Sequence, residues 1–357
     1  MNCSASSRME ANWSVSALYG CLSSVLLVFY VPCLLVMARA PLWTNSCFKI
    51  MTAMGLLDVL NLVFAAYLPA YFSAVGASYC DAANYRLMKV AGAFAVGAWA
   101  GYCATCLTLA ANRMSKLHSP QLSERLFAGR AIWLWIGFCY AYGLMISVFF
   151  LSSFATVIYH SSWGLYVFPG KQIGSTIHVM NNVATVIVLF GCYFTVLWLI
   201  RRQSRVVAHR HRQLVDAERR VLFQSCIICA LTGSAALLYV VVPRISLSVP
   251  LLQALSLLWI LAHGSNGLIY LALNRTIRCR VLILMGIDER FGVRHTLGRH
   301  SQTPTAACPS MSLTATGGRK RAPSQATSAA AVVVNSTAPD VHVSPDCGSV
   351  NSWDVML

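Results

Sequence analysis

The amino-acid sequence predicts an all-α membrane protein, a bundle of seven transmembrane helices. Of the 357 residues, 57% are hydrophobic and only 11% are charged, and the mean hydropathy is +0.62. Soluble globular chains carry about 25% charged residues. Seven apolar stretches each reach the roughly 20 residues that a helix needs to cross a bilayer core. The sequence lacks the two-residue alternation typical of transmembrane barrels, so helices are the predicted spanning elements.

The seven predicted spans follow an extracellular segment of residues 1–16 and are joined by short connections. Together they form a bundle of residues 17–273, with spans at residues 17–38, 50–74, 90–111, 131–153, 176–200, 221–243 and 250–273. Residues 154–170 are aromatic, but His160 and Gly164 interrupt them and they are too short to span. We expect them to form a loop that lies over the helix ends.

Two further segments follow the bundle. Residues 274–286 alternate arginine with aliphatic residues, and Ile277 and Val281 share one helical face, which predicts a short amphipathic helix on the membrane surface. Cys279 lies on this helix beside the membrane and is a candidate for palmitoylation. Residues 287–357 are rich in Ser, Thr, Ala, Pro and Gly and have no apolar periodicity, so we expect a disordered cytosolic tail.

The distribution of basic residues predicts the orientation of the bundle. Most of the 27 Lys and Arg residues fall in connections on the same side as the C-terminus. The positive-inside rule therefore places the C-terminus in the cytosol and the N-terminus outside. The other side holds only Arg8, Arg86, Lys89, Lys171 and Arg244. The formal net charge of +16 is accounted for by the cytosolic face, so nucleic-acid binding is not indicated.

Two features near the N-terminus agree with an extracellular location. Asn2 and Asn12 each begin an N-glycosylation sequon. Cys3 and Cys80 are the cysteines expected in an oxidising compartment, so they either form a bridge or remain as thiols. The cysteines within the spans are dispersed, and we expect them to pack as small apolar residues.

Asp58 is the only acidic residue within the seven apolar stretches. A carboxylate at the centre of a bilayer costs roughly 2.5–3.5 kcal/mol on insertion scales, so such a residue is more often functional than accidental. Asn61 and Ala65 share its helical face. We therefore expect this face of the second span to turn towards the interior of the bundle.

The seventh span carries a matching polar stripe. Trp259, His263, Asn266 and Tyr270 are spaced by four, three and four residues, which places them on one helical face. Because polar groups avoid hydrocarbon, this face should also point inward and bring Asn266 and His263 close to Asp58. A function in switching and a purely structural role as interhelical hydrogen bonds are the two interpretations that this contact allows.

Several motifs occur in an order and spacing that resemble a known family. They are Cys47–Asp58 (CFKIMTAMGLLD), Trp99–Arg113 (WAGYCATCLTLAANR), Leu126–Trp135 (LFAGRAIWLW), His178–Asn182 (HVMNN) and His263–Arg278 (HGSNGLIYLALNRTIR). With an Asp in the second span, an Asn-Arg pair ending the third and Asn266–Tyr270 in the seventh, the chain resembles a G-protein-coupled receptor. It is similar in particular to the nematode serpentine chemoreceptors of class T, over most of residues 40–280.

The resemblance implies a receptor of the cell membrane, with sensory cilia as the expected site. It also implies a small-molecule ligand, contact with membrane lipid and coupling to a heterotrimeric G protein. By position, Asn112 and Arg113 are the expected coupling residues, although Asn112 replaces the acid common in rhodopsin-like receptors, and Gly267 replaces a proline. The expected conformational switch consists of Asp58, Asn61, His263, Asn266 and Tyr270.

The ligand site is predicted by exclusion. The spans contain no lysine, which excludes a retinal Schiff base, and their outer halves contain no acid that would pair with a charged amine. The remaining residues suggest an aromatic, neutral-polar cavity for a small neutral or weakly polar molecule. The candidate ligand-binding residues are Trp99, Tyr102, His178, Asn181, Asn182, Tyr239, Gln253 and Trp259.

Two other functional classes remain open from the sequence. A ligand-gated cation channel of the odorant-receptor type would also have seven spans, but its N-terminus would lie inside. A small-solute transporter should show internal repeats, and none is recognisable here. No metal-ligand cluster or nucleophile–base pair is recognisable either, so we expect neither an enzyme nor a bound cofactor or metal. The oligomeric state is left open.

Overall fold

A computed structural model of the chain describes residues 10–169, 173–204, 212–241 and 248–287. Asn2, Cys3, and all but the first residue of the predicted tail 287–357 lie outside these ranges. The structure records Cys80 as disulfide-bonded. The alternative that Cys80 remains a thiol is therefore wrong, whereas the bridge to Cys3 stays untested because Cys3 is not among the described residues.

The described residues form eleven α-helices and one two-stranded hairpin. A 3-10 turn at Leu42–Thr44 precedes α2, and a π-helical turn at Val63–Tyr67 joins α2 to α3. The helices are α1 Trp13–Met37, α2 Ser46–Leu62, α3 Leu68–Ala74, α4 Ala82–His118, α5 Pro120–Phe127, α6 Ala131–Leu151, α7 Ile173–Ser204, α8 Arg212–Val241, α9 Val249–Gly264, α10 Asn266–Leu273 and α11 Arg275–Leu284.

Among the described residues, five helical segments are long and apolar enough to cross a membrane: α1, the continuous run Ser46–Ala74, α4, α6 and α7. The pair α9 and α10 together forms a sixth, bent span. In α8 the apolar stretch Ala230–Val241 is shorter. Helix α8 precedes α9 in the chain. With the six spans above, it makes up the seven helices of the bundle.

Short polar side chains define where several helices begin. The side chain of Asn12 accepts a hydrogen bond from the backbone N–H of α1, that of Asn45 from α2 and that of Asp81 from α4. Ser119 and Asn274 cap α5 and α11 in the same way. Such a cap satisfies one of the backbone donors that a helix start leaves unpaired, and it is worth about 1 kcal/mol.

Large apolar side chains cover the outside of the bundle. On α6, Leu134 and Phe138 are 76% and 64% exposed, and on α7 Phe190 and Phe194 are 70% and 75% exposed. Such a surface is unfavourable in water but matches hydrocarbon. Asp58, by contrast, is fully buried. The chain is therefore arranged as a multi-pass membrane protein.

The most extensive helix contact among the described residues runs between α4 and α6 and depends on glycine. A Cβ atom at Gly97 would lie 2.6 Å from the carbonyl oxygen of Gly143 and would overlap Ser147. Gly101, one turn further along α4, also faces Gly143. Small residues spaced by four allow two backbones to approach in a membrane, where packing rather than the hydrophobic effect holds helices together.

The seventh span is broken, whereas its apolar pattern predicted one span at 250–273 without a break. Helices α9 and α10 meet at Ser265 with a bend of 46°. Close approach to α1 accompanies the bend, because a Cβ at Gly264 would lie 2.8 Å from Leu26 Cβ and one at Gly267 would lie 2.7 Å from Tyr30 Cα. Glycine at these positions lets α1 pack directly against the bent segment.

The connection between α6 and α7 covers one end of the bundle, which we call the hairpin end. Strand β1, Ile158–His160, pairs antiparallel with β2, Leu165–Val167. We refer to residues 154–168 as the roof. Gly164 has φ of +71°, a conformation that other residues rarely adopt, and it closes the turn between the strands.

Helix α11 lies at the opposite end, which we call the α11 end. Ile277 and Val281 are buried, as the amphipathic pattern predicts. Arg278 donates from Nη1 to the carbonyl oxygens of Leu271 and Ala272, both at 2.9 Å. These bonds satisfy carbonyl groups at the C-terminal end of α10 and fix the turn into α11.

Candidate functional site

A buried hydrogen-bond network surrounds Asp58 in the middle of the bundle. His263 Nδ1 lies 2.6 Å from Asp58 Oδ1 and is assigned as the donor, because an ionised carboxylate only accepts. Asn266 Nδ2 donates to Oδ2 at 2.9 Å. The hydroxyl of Tyr30, on α1, also donates to Oδ2 in a short hydrogen bond. All four residues are fully buried. The carboxylate thus joins α1, α2, α9 and α10, which offsets part of the cost of burying it.

Asn266 extends this network towards α4 and α8. Its Nδ2 also lies 3.2 Å from the hydroxyl oxygen of Tyr102, and that hydroxyl lies 3.3 Å from Thr232 Oγ1. We call Tyr30, Asp58, Tyr102, Thr232, His263 and Asn266 the Asp58 network. Two of its buried atoms, Asn266 Oδ1 and His263 Nε2, have no hydrogen-bond partner in the described structure. The network is therefore incompletely satisfied.

An aromatic layer lies directly on the Asp58 network. The rings of Trp99 and Trp259 are 4.6 Å apart, and the ring of His263 lies 5.5 Å from Trp99 and 5.6 Å from Trp259. Tyr102 packs edge-on against His263 at 4.7 Å. Rings in such contact cannot move independently, since the protein interior is close-packed.

Above this layer lies a small cavity beneath the roof. It is open on one side, and the centre of a water-sized sphere can reach only about 40 Å³ of it, so an organic ligand has to displace part of the lining. Its floor is Trp259, and Leu165, Tyr166 and Phe168 reach it from the roof. Its other apolar walls are Ala65, Pro69, Ala95, Val96 and Val157, and its polar lining residues are Tyr159, His178, Tyr239 and Ser256.

Hydrogen bonds to the backbone hold the roof over the cavity. Tyr19 and Ser256 both donate from their hydroxyls to the carbonyl oxygen of Gly164, each at 2.8 Å. The hydroxyl of Tyr166 donates to the carbonyl oxygen of Phe64 at 2.7 Å. Phe64 lies in the π-helical turn, whose wider backbone ring leaves carbonyl groups available to outside donors.

The predicted ligand-binding residues fall at different depths. His178, Tyr239 and Trp259 line the cavity. Trp99 lies behind Trp259 and donates from Nε1 to Asn182 Oδ1 at 2.7 Å, and Asn182 in turn lies 3.2 Å from His178 Nε2.

The other three candidates do not line the cavity. Tyr102 belongs to the Asp58 network. Asn181 accepts a hydrogen bond from the Tyr142 hydroxyl at 2.9 Å. Gln253 lies beneath the roof, with its side chain beside Gly164. Three of the eight candidate residues therefore line the cavity, and the other five lie near it.

The predicted switch residues also separate into two groups. Asp58, His263 and Asn266 are in direct contact. Asn61 is buried but donates to its own helix, at the carbonyl of Leu57. Tyr270 is buried against Tyr30, with ring centroids 6.0 Å apart. Neither reaches the oxygen atoms of Asp58.

The predicted coupling residues lie near the α11 end. Asn112 Nδ2 donates to Ser46 Oγ at 3.2 Å and so ties α4 to the start of α2. Arg113 and Cys279 are half-buried. At the hairpin end, Asn12 uses its side-chain oxygen as the cap of α1.

Two members of the Asp58 network, Tyr30 and Thr232, were absent from the sequence prediction. A signal existed for Tyr30, because a phenol in the middle of an apolar span requires a hydrogen-bond partner. Thr232 gave no signal, since a threonine in a membrane helix can bond to its own backbone, as it also does here with Ile228. The roof contacts of Gly164 and Tyr166 are long-range and have no local signature.

The fold has a clear counterpart among solved structures. It is similar to squid rhodopsin, with a TM-score of 0.63 over 77% of this chain and 85% of that chain, at 11% sequence identity. Identity this low relates the folds alone. The similarity defines the fold class of the protein as a seven-helix membrane bundle.

The family assignment is more specific than the fold. Residues 1–292 match the family described as serpentine type 7TM GPCR chemoreceptor Srt, and the chain belongs to this family. No curated protein sequence matches the chain. The predicted family and the seven-helix fold class are thereby confirmed, and the family is one of receptors rather than enzymes.

Proposed function

We propose that this protein is a chemosensory receptor for a small neutral or weakly polar molecule that signals through a heterotrimeric G protein. The ligand occupies the cavity beneath the roof, and the Asp58 network is the conformational switch. The observation that carries the proposal is that Trp259 is both the floor of the cavity and a neighbour of His263, at 5.6 Å.

The proposed signal passes through three adjacent layers. A ligand displaces the ring of Trp259, which is also packed on Trp99 and Tyr239. Movement of Trp259 shifts His263 and with it the hydrogen bond to Asp58. Because a bound molecule changes an equilibrium only by its difference in affinity for two states, the two states here are two arrangements of this network.

The α11 end is proposed as the cytosolic face. The N-terminus is then extracellular and glycosylated at Asn2 and Asn12. Asn112 and Arg113 take part in coupling to the G protein there, and Cys279 carries a palmitoyl group that holds α11 on the lipid surface. The basic charge near this end supports the assignment, since anionic lipid and the positive-inside rule both favour it. Sensory cilia are the proposed location.

The proposal is tested in cells that express the full chain with a promiscuous G protein and a reporter of its activation. Small volatile and weakly polar compounds are screened for a dose-dependent response. Alanine at His178 or Trp259 should weaken the response to an active compound, on the order of tenfold, because each residue lines the cavity. The exposed Trp198, on α7 outside the cavity lining, provides the matched alanine control.

Two results would contradict the proposal. One is an unchanged response when both His178 and Trp259 are replaced while surface expression is normal. The other is a ligand-gated ion current in the absence of any G protein, which would indicate the channel alternative. Protection of the N-terminus from glycosidase in intact cells would contradict the proposed orientation.

A further inference from the structure

We infer that the ligand is an uncharged molecule with a hydrogen-bond acceptor, such as the carbonyl oxygen of a ketone, aldehyde or ester, and that the indole N–H of Trp259 binds this acceptor. The inference rests on the proposed function, since it concerns the same cavity. It narrows the ligand from a small neutral molecule to one chemical class and assigns one residue to its recognition.

The other polar groups around the cavity are largely occupied by the protein itself. The hydroxyl of Tyr166 donates to Phe64, and that of Ser256 donates to Gly164. The hydroxyl of Tyr159 is hydrogen-bonded to Ser73 Oγ at 2.8 Å. A ligand that bound to these groups would have to break bonds that hold the roof in place. These three hydroxyls therefore shape the cavity and are not available for recognition.

Trp259 differs from these residues. Its side chain is 7% exposed and lines the cavity, yet its Nε1 atom has no hydrogen-bond partner among the described residues. An indole N–H is a donor only. A buried donor without a partner carries a free-energy cost that disappears when an acceptor arrives. The Nε1 atom has almost no accessible surface in the described structure, so it meets an acceptor when a ligand displaces the ring of Trp259, as proposed above. The group then selects an acceptor on that ligand.

The charge of the lining excludes ionised ligands. The described residues that line the cavity include no lysine, arginine, aspartate or glutamate. Asp58, deeper in the bundle, already accepts bonds at both oxygens, from His263 at Oδ1 and from Asn266 at Oδ2. Moving an ammonium or carboxylate into this apolar space without an opposite charge is strongly unfavourable.

The experiment uses the purified full chain in nanodiscs and matched small molecules. Cyclic, linear and branched carbon skeletons are each supplied as a ketone, an alkane, an amine and a carboxylate. Binding is measured from the shift in the thermal midpoint at increasing compound concentration. For at least one skeleton the ketone should bind on the order of tenfold more tightly than the alkane, the ratio expected for one net hydrogen bond. Amines and carboxylates should not bind.

Substitution then locates the donor. Trp259→Phe keeps an aromatic floor but removes the N–H, so it should abolish the preference for the ketone while alkane binding persists. Trp198→Phe should leave the preference unchanged. The inference is overturned if no ketone stabilises the protein, if an amine or carboxylate binds best, or if Tyr239→Phe rather than Trp259→Phe abolishes the preference.

This test separates the ligand class from the signalling role because the nanodisc measurement needs no G protein. Ketone binding that requires Trp259, without G-protein activation by the same compounds in cells, would uphold the assigned ligand class and contradict the proposed function. G-protein activation by amines alone would uphold the proposed receptor function and contradict the assigned ligand class.

Discussion

The Asp58 network and the roof are both held by buried hydrogen bonds, but their bonds are of different kinds. In the network, side chains bond to side chains: Tyr30, His263 and Asn266 all donate to Asp58. In the roof, hydroxyl groups bond to backbone carbonyls, as Tyr166 does to Phe64. A backbone acceptor is fixed by its secondary structure, whereas a side chain can turn to another partner.

This difference supports the Asp58 network, and not the roof, as the region proposed to change state. The network leaves Asn266 Oδ1 and His263 Nε2 buried without partners, so other pairings are available to it. The roof bonds of Tyr19 and Ser256 converge on the single carbonyl of Gly164 and hold one position of the chain. We therefore propose that the roof sets the shape of the cavity and that the network is the bistable element.

Substitution of Asp58 should give the largest effect on signalling. In Asp58→Asn the carboxylate is replaced by an amide, whose N–H₂ cannot accept from His263 or Asn266, so the resting arrangement is lost. We expect the ligand-dependent G-protein signal to change by on the order of tenfold or more. Ligand affinity in nanodiscs should change less than the signal. Asp81→Asn, which keeps an equally good helix cap, is the control.

Equal losses of binding and signalling in Asp58→Asn, at normal surface expression, would place Asp58 in a structural role. The proposed difference between a switching network and a static roof would then be wrong, because both regions would be static. Typical interhelical hydrogen bonds in membranes contribute only about 0.6 kcal/mol each, so a structural role alone predicts a modest loss of stability and no selective effect on signalling.

Removal of a roof bond should give a smaller effect of a different type. Tyr166→Phe deletes the hydroxyl that donates to Phe64, at a cost of about 1 kcal/mol. We expect a lower thermal midpoint and weaker ligand binding, with an unchanged maximal signal at saturating ligand. Tyr71→Phe, at a tyrosine that is 50% exposed, should be neutral in both assays. A reduced maximal signal in Tyr166→Phe would show that the roof takes part in switching.

A pH effect at His160 should be the smallest of the three. This roof residue stacks on Trp163 at 4.1 Å, and burial lowers the pKa of its imidazole below the ordinary value of about 6.5. The folded state therefore binds fewer protons than the unfolded state just below that pH. Stability of the roof should be complete above about pH 6.5 and should fall as the pH drops below it.

The difference in thermal midpoint between pH 7.5 and pH 5.5, roughly one pH unit on either side of that ordinary value, measures this effect. His160→Gln should reduce the difference relative to the wild-type chain. A wild-type midpoint that does not fall, or an unchanged difference in the variant, would assign the pH dependence to other groups.

Much of the Asp58 network was predictable from sequence because polarity in a membrane span is informative. Helical periodicity and the high cost of polar groups in hydrocarbon predicted that Asp58, His263 and Asn266 lie close together. The cavity was less predictable. Whether Trp99 lines it or lies behind Trp259 depends on how α4 and α9 rotate against each other, and rotation by a fraction of a turn leaves the sequence pattern unchanged.

The break in the seventh span and the roof hairpin were also missed as structural features. The bend at Ser265 depends on the approach of α1 to Gly264 and Gly267, which is a contact between distant parts of the chain. In the roof, Gly164 has a positive φ at the turn between the strands, and side chains of two helices distant in sequence bond to its carbonyl oxygen. Neither of these long-range contacts can be recognised from the neighbouring residues in the sequence.

The π-helical turn at Val63–Tyr67 affects how this chain should be aligned with its relatives. A π turn adds one residue to a helix without moving its two ends apart, so positions beyond it are rotated by about 100° from their place in a regular α-helix. A relative with an uninterrupted second helix would require a one-residue gap there. Without that gap, residues beyond the turn, such as Pro69, would be matched to residues about 100° away around the helix axis.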